Sequence, residues 1–241
     1  MRLDPEDPGL LWGVTVFETL RVRRGGIRSL GAHLSRLRRS AALLDLACPV
    51  PTSLQAWCWT AQAALGVPEA VIRITLTAGG TALVLARPAP RRRTAVRCVR
   101  VPVPRFFGRL AAAKHGNRLA GLRMVAAHPD VDEVLWTDAE GRLMEGTWSN
   151  VVGVEDGLVV THPDDGQILG GITRAAVLAL AKAQGIPTEL RAVDPDRCTE
   201  LYVTSSVHGM VPVVALDGQD RPGRGPLGDA LDRLLWDPPA G

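Results

Sequence analysis

The sequence predicts a mixed α/β chain of the α+β type, built as two domains. Three observations carry this: stretches of two-residue alternation around Gly-Gly turns, stretches of helical periodicity between them, and a Pro/Arg-rich break at residues 88–94. From Val14 to Val22 the chain alternates: Val14, Val16, Leu20 and Val22 point one way, Thr15, Phe17, Thr19 and Arg21 the other. Gly25-Gly26 then offers a hairpin turn. Residues 33–46 read as a helix, with Leu34, Leu37, Ala41 and Leu44 as its apolar face and Arg36, Arg38 and Arg39 outside it. A second helix is expected over 53–65, ended by Gly66, and VIRITLT and TALVLAR flank a Gly79-Gly80 hairpin. Pro88 and Pro90 discourage regular pairing in RPAPRRR, which places a small N-terminal α/β domain at 1–90 and a larger C-terminal domain at 95–241. In that second part strands are expected at 95–103, 132–137, 142–146, 149–154 and 158–162, and again in LYVTSS and VPVVALDG. Helices are expected at 117–127, from Thr173 to Gln184, and around 227–236.

Composition narrows the class. With 241 residues, 46% hydrophobic and 22% charged, the chain is a folding, globular one. No run approaches the roughly 18 apolar residues of a membrane span. MRLDPEDPG lacks the basic start and apolar core of a signal peptide, so the cytoplasm is the expected location. Cys48, Cys58, Cys98 and Cys198 form no C-x-x-C pair and the five histidines no H-x-x-x-H pair, so free thiols and no metal are expected. The net charge is +3, with RRR at 91–93 and arginines at 97, 100, 105 and 109. Aromatics are only 4%, which argues against stacking on nucleic acid. A solvated face, or a field that attracts an anionic substrate, is the better reading.

One bias points to chemistry. Of 28 basic residues only Lys114 and Lys182 are lysines; the other 26 are arginines. Arginine stays protonated, whereas lysine can become a free amine nucleophile. Lys182, in LALAKAQG, suits the negative end of a helix dipole. Lys114, in AAAKHGN, needs another account. Glu145, in RLMEGTWSN, sits in a strand pattern bounded by small residues. Gly170-Gly171-Ile172-Thr173 runs into a helix, where free amides and the positive dipole end meet. Thr204-Ser205-Ser206 ends a strand and offers hydroxyls, and Arg36 can add a charge-assisted contact. An amine, an acid and an anion cradle are the three parts that a pyridoxal-phosphate (PLP) site requires.

The stretches DPGLLWGVTVFETLRV, HLSRLRRSA, KHGNRL, LWTDAEGRLMEGTWSNVVGV, ILGGITRAAVLALAKAQGI and ELYVTSSVHGMVPV resemble, in order, those of the fold-type IV PLP enzymes, the class-IV aminotransferase family. The resemblance implies that Lys114 is the Schiff-base lysine and Glu145 the acid at the pyridine nitrogen. It assigns phosphate contacts to Arg36, the amides of Ile172 and Thr173, and the Ser205-Ser206 turn. It also implies a two-domain fold with the cofactor in an interdomain cleft, and a homodimer. Two departures, a short N-terminus and DPG in place of DRG, bear on the edge of the first sheet. Threonine at position 19 and Asn117-Arg118 resemble the 4-amino-4-deoxychorismate lyases within that family. That implies conversion of the substrate to 4-aminobenzoate and pyruvate for folate biosynthesis, with Thr19 at the leaving group and Arg118 at a carboxylate of a small anionic amino substrate. An aminotransferase of D-amino or branched-chain amino acids is the alternative. A non-catalytic basic binding protein, without PLP, is the third reading.

Overall fold

The computed structural model describes residues 4–103 and 108–237. Arg105 of the basic run lies outside them. The chain divides into two compact units, Met1–Arg91 with Arg109–Arg118, and Arg92–Gly108 with Leu119–Gly241. Residues 109–118, assigned to the second domain by the expected division at 90–95, belong to the first unit. Main-chain bonding explains this. Phe17 N donates to Lys114 O at 2.9 Å, Gly116 N to Thr15 O at 2.7 Å, and Lys114 N to Ser40 Oγ at 3.0 Å.

The first unit starts with α1 (Pro8–Leu11), then β1 (Thr15–Arg23) and β2 (Gly26–Ile27) joined by a turn through Arg24 and Gly25, both at positive φ. Helices α2 (Leu30–Leu43) and α3 (Pro51–Leu65) precede β3 (Ala70–Thr77) and β4 (Ala82–Pro88). The four strands form an antiparallel sheet in the order β2-β1-β3-β4. Val16, Leu20 and Val22 of β1 meet Leu34 and Leu37 of α2 and Leu54 of α3 in one core. Helix α2 begins and ends three residues before the expected 33–46, because Asp45 takes positive φ and stops it; Leu44 and Leu46 still pack on the core from the following loop. Contrary to expectation, Pro88 pairs with Ala70, which an edge strand tolerates. Asp7 of the DPG sequence ties α1 to the sheet. Its carboxylate accepts from Gly9 N at 2.7 Å, Thr77 Oγ1 at 2.5 Å and Gly79 N at 3.0 Å, so it caps α1 and closes the β3–β4 hairpin together.

The second unit runs β5 (Val96–Pro102), α4 (Leu119–Ala127), β6 (Glu133–Thr137), β7 (Leu143–Gly146), β8 (Asn150–Glu155) and β9 (Leu158–Thr161). It continues with α5 (Ile172–Ala183), β10 (Thr188–Leu190), β11 (Glu200–Ser205), β12 (Gly209–Leu216), β13 (Gln219–Asp220) and α6 (Pro226–Trp236). Strands β8-β11-β12-β5-β6-β7 neighbour one another in that order, and β7 pairs back to β8 at Glu145 and Asn150, so six strands close a ring. Both faces of β8 and β11 are buried. Val151 and Val203 lie in one core, while Val152 and Tyr202 pack with Val177 of α5 and Leu231 of α6 in another. This is the mixed α/β architecture the pattern predicted. No described helix is long and apolar enough to cross a membrane.

Candidate active site

In the first unit the site is built around Lys114. Its backbone is fixed from two sides, by Phe17 N of β1 and Ser40 Oγ of α2. Gly116 is required at this crossing, since a Cβ there would lie 1.9 Å from Thr15 Oγ1. The half-buried Lys114 side chain reaches the face of Phe17, with Nζ 4.9 Å from the ring centroid. Arg73, which the sequence reading did not single out, lies over the same ring at 3.9 Å. Thr19 follows Phe17 by two residues on the same face of β1 and pairs across the sheet with Arg73. It is half-buried, and its hydroxyl has no hydrogen bond among the described residues. Arg87 and Arg118 are within electrostatic reach of Arg73, so this face is strongly positive.

Arg36 does not lie outside the buried face of α2, as its charge suggested; it is 5% exposed. The reason is Glu18, 0% exposed on the apolar side of β1. Arg36 donates Nε to Glu18 Oε1 at 2.7 Å and Nη2 to Oε2 at 2.8 Å, and His33 Nδ1 meets Oε2 at 2.7 Å. Burial alone would raise the Glu18 carboxyl, but Arg36 and His33 outweigh it and hold it at about 2. Burial holds His33 below its ordinary value against the pull of Glu18. Neither Glu18 nor His33 was expected at the site. The signal was present: a carboxylate interrupts the apolar alternation of β1, and H-x-x-R places two donors one helical turn apart.

In the second unit Asn150 collects the expected residues. Its Nδ2 donates to Leu169 O at 2.9 Å and approaches Glu145 Oε2 at 3.4 Å, while Leu169 N donates to the same Glu145 oxygen at 3.1 Å. The half-buried Glu145 is thus aimed by the turn that leads into α5. Gly171 is needed there because a Cβ would lie 1.7 Å from Asn150 Oδ1. Helix α5 starts at Ile172, so the amides of Ile172 and Thr173 have no acceptor within the helix. Thr204, paired with Asn150, brings the end of β11 to the same place. Ser205 Oγ accepts from His208 N at 3.2 Å. The Ser206 hydroxyl makes no hydrogen bond among the described residues. First-turn amides and hydroxyls are donors suited to a phosphate, and an oriented carboxylate suits a ring nitrogen; the residues present fit PLP.

Comparison with known proteins gives the family, the fold and the cofactor class. The family model described as amino-transferase class IV matches residues 15–216. A bifunctional aminodeoxychorismate lyase / D-amino acid transaminase of Mycobacterium tuberculosis is 28% identical, over 97% of this chain and 92% of its own. A fold IV-transaminase from Curtobacterium pusillum superposes with a TM-score of 0.87 at 28% identity, covering 98% of this chain and 91% of its own. The PLP-bound form of a hypothetical aminotransferase from Mycobacterium tuberculosis gives a TM-score of 0.88 at 27% identity, covering 98% and 92%. The chain belongs to the amino-transferase class IV family, the PLP-dependent enzymes that its motifs resemble.

Proposed function

We propose that this enzyme is a lyase that converts 4-amino-4-deoxychorismate to 4-aminobenzoate and pyruvate, acting as a homodimer in folate biosynthesis. The observation that carries the reading is the face of β1. Phe17 bears Lys114 Nζ and Arg73 on one ring, and Thr19 presents a hydroxyl two residues along the same face. Bound PLP supplies an electron sink for the bond-breaking step. Lys114 holds the cofactor covalently and, once released, removes the proton from the carbon bearing the substrate nitrogen. Glu145 keeps the pyridine nitrogen protonated. Arg36, the Ile172 and Thr173 amides, Ser205 and Ser206 hold the phosphate. Thr19 hydrogen-bonds the enolpyruvyl oxygen as its bond to the ring carbon breaks, and the released enolate takes up the proton that Lys114 removed and becomes pyruvate. Arg73 and Arg118 receive the substrate carboxylates.

Replacing Thr19 by valine tests this. Thr19→Val keeps the β-branched shape and deletes the hydroxyl. Loss of a donor to developing negative charge costs about 2–4 kcal/mol, or roughly 30-fold or more in rate. Aminobenzoate formation is expected to fall by that factor while PLP binding and colour persist. Wild-type aminobenzoate production by the variant would remove Thr19 from the reaction.

A transaminase is the second reading, favoured by the name of the bifunctional relative. Amino transfer uses the same lysine and acid but expels no group. Transfer from a D-amino or branched-chain donor, retained in Thr19→Val, supports it.

A further inference from the structure

The basic run at 91–93 has no part in the proposed chemistry, yet its middle member is built into the second unit. Arg92 is half-buried, whereas Arg91 and Arg93 are exposed. Arg92 donates Nε to the His208 carbonyl at 3.0 Å and Nη2 to Asp232 Oδ2 at 2.6 Å. Its guanidinium lies over the Trp236 ring, 4.1 Å from the centroid. Asp232, 5% exposed, also accepts from Met210 N at 3.0 Å and Trp236 Nε1 at 3.0 Å. The neighbouring Arg93 N reaches His208 Nδ1 at 3.3 Å.

These bonds converge on one short loop. Ser206, Val207 and His208 connect β11 to β12, and His208 N closes the loop onto Ser205 Oγ. Gly209, at φ +74°, ends it in a conformation that glycine adopts without strain; a Cβ there would lie 2.3 Å from Trp236 Nε1 and 2.8 Å from Asp232 Oδ1. The loop is therefore clamped from outside by a planar, charge-assisted fork whose far end is anchored on a buried carboxylate.

We propose that Arg92 is a positioning residue for the cofactor phosphate: by holding the His208 carbonyl it fixes the Ser205-Ser206 turn in the conformation that presents its hydroxyls. This rests on the assignment of that turn to the phosphate. Arg92 touches neither substrate nor cofactor; it acts through the loop.

A phosphate-specific role and a merely structural one give different results with two ligands. PLP and pyridoxal, which lacks the phosphate, are titrated into full-length apoenzyme and followed by visible absorbance. Arg92→Gln is expected to weaken PLP about tenfold while leaving pyridoxal within about twofold of wild type. Equal loss for both ligands, or no loss for PLP, overturns the proposal. Arg92→Lys retains the charge beside Asp232 but not the fork, and is read by the same comparison if the glutamine variant does not fold. Substituting Ser205 and Ser206 together by alanine separates the two levels. Wild-type PLP affinity in that variant removes the turn from the phosphate, and the proposal with it. Loss of PLP but not pyridoxal affinity there, with Arg92→Gln unaffected, overturns the role of Arg92 alone.

Discussion

Glu18 shows how one side chain ties stability to the site. A carboxylate with no exposure needs full compensation, and two donors from α2 provide it. Its value of about 2 lies below the ordinary glutamate value of about 4.3. The unfolded chain therefore binds more protons between those values. The stabilisation is complete above the ordinary value and is lost as pH falls through the folded one. His33, also held low, adds the same sign: its contribution is complete above about pH 6.5 and declines below it. Glu18→Gln removes the carboxylate that faces the buried Arg36 and should cost about 3–5 kcal/mol in urea unfolding at neutral pH. The variant's stability should also vary less between about pH 5 and 2 than that of the wild type. Equal stability and an equal acid slope would show that Arg36 is compensated without Glu18.

At the scale of elements, the start of α5 is the most informative. Gly171 has φ −73°, so its need for glycine is steric and comes from Asn150. Gly171→Ala must push Asn150 aside and disturb its bonds to Leu169 O and Glu145. We expect a loss of about 1–3 kcal/mol in thermal or urea unfolding, together with weaker PLP binding. Unchanged affinity would mean that the turn tolerates the shift without moving Glu145. The sequence made the glycine pair legible as a helix entry, because amides, dipole and turn residues are local signals. Asn150 was not legible as its partner: it reaches that turn from a distant strand, β8, through Leu169 O, and it meets Glu145 only when β7 pairs with β8, across a hairpin whose Thr147–Ser149 turn is held by Glu133. Most strands could be read because both periodicity and continuous burial leave apolar runs. Strand β10 could not, since all three of its residues are exposed and carry no pattern. Arg36 was placed outside the core because a charge on a helix is read as solvent-facing until the carboxylate facing it is known.

The whole chain has two side-chain amines of unlike setting. Lys114 is half-buried against Phe17, and Lys182 is exposed in the last turn of α5. Borohydride reduction of the holoenzyme should fix one PLP per chain, on the peptide containing Lys114. Label confined to Lys182, read by mass spectrometry, would overturn the assignment on which the proposed reaction depends. The peptide that bears Lys114 belongs to the first unit, although the chain has by then already contributed Arg92–Gly108 to the second.

That return has a consequence for how such a chain can be recombined. A single crossover near residue 91 would join one parent's β1 to another parent's KHG segment. The bonds from Phe17 N to Lys114 O and from Gly116 N to Thr15 O would then have to form between strangers. Chimeras that transplant 1–91 and 109–118 together should express and fold more often than those cut once. The two units are inherited as an interleaved pair, and neither is a cassette.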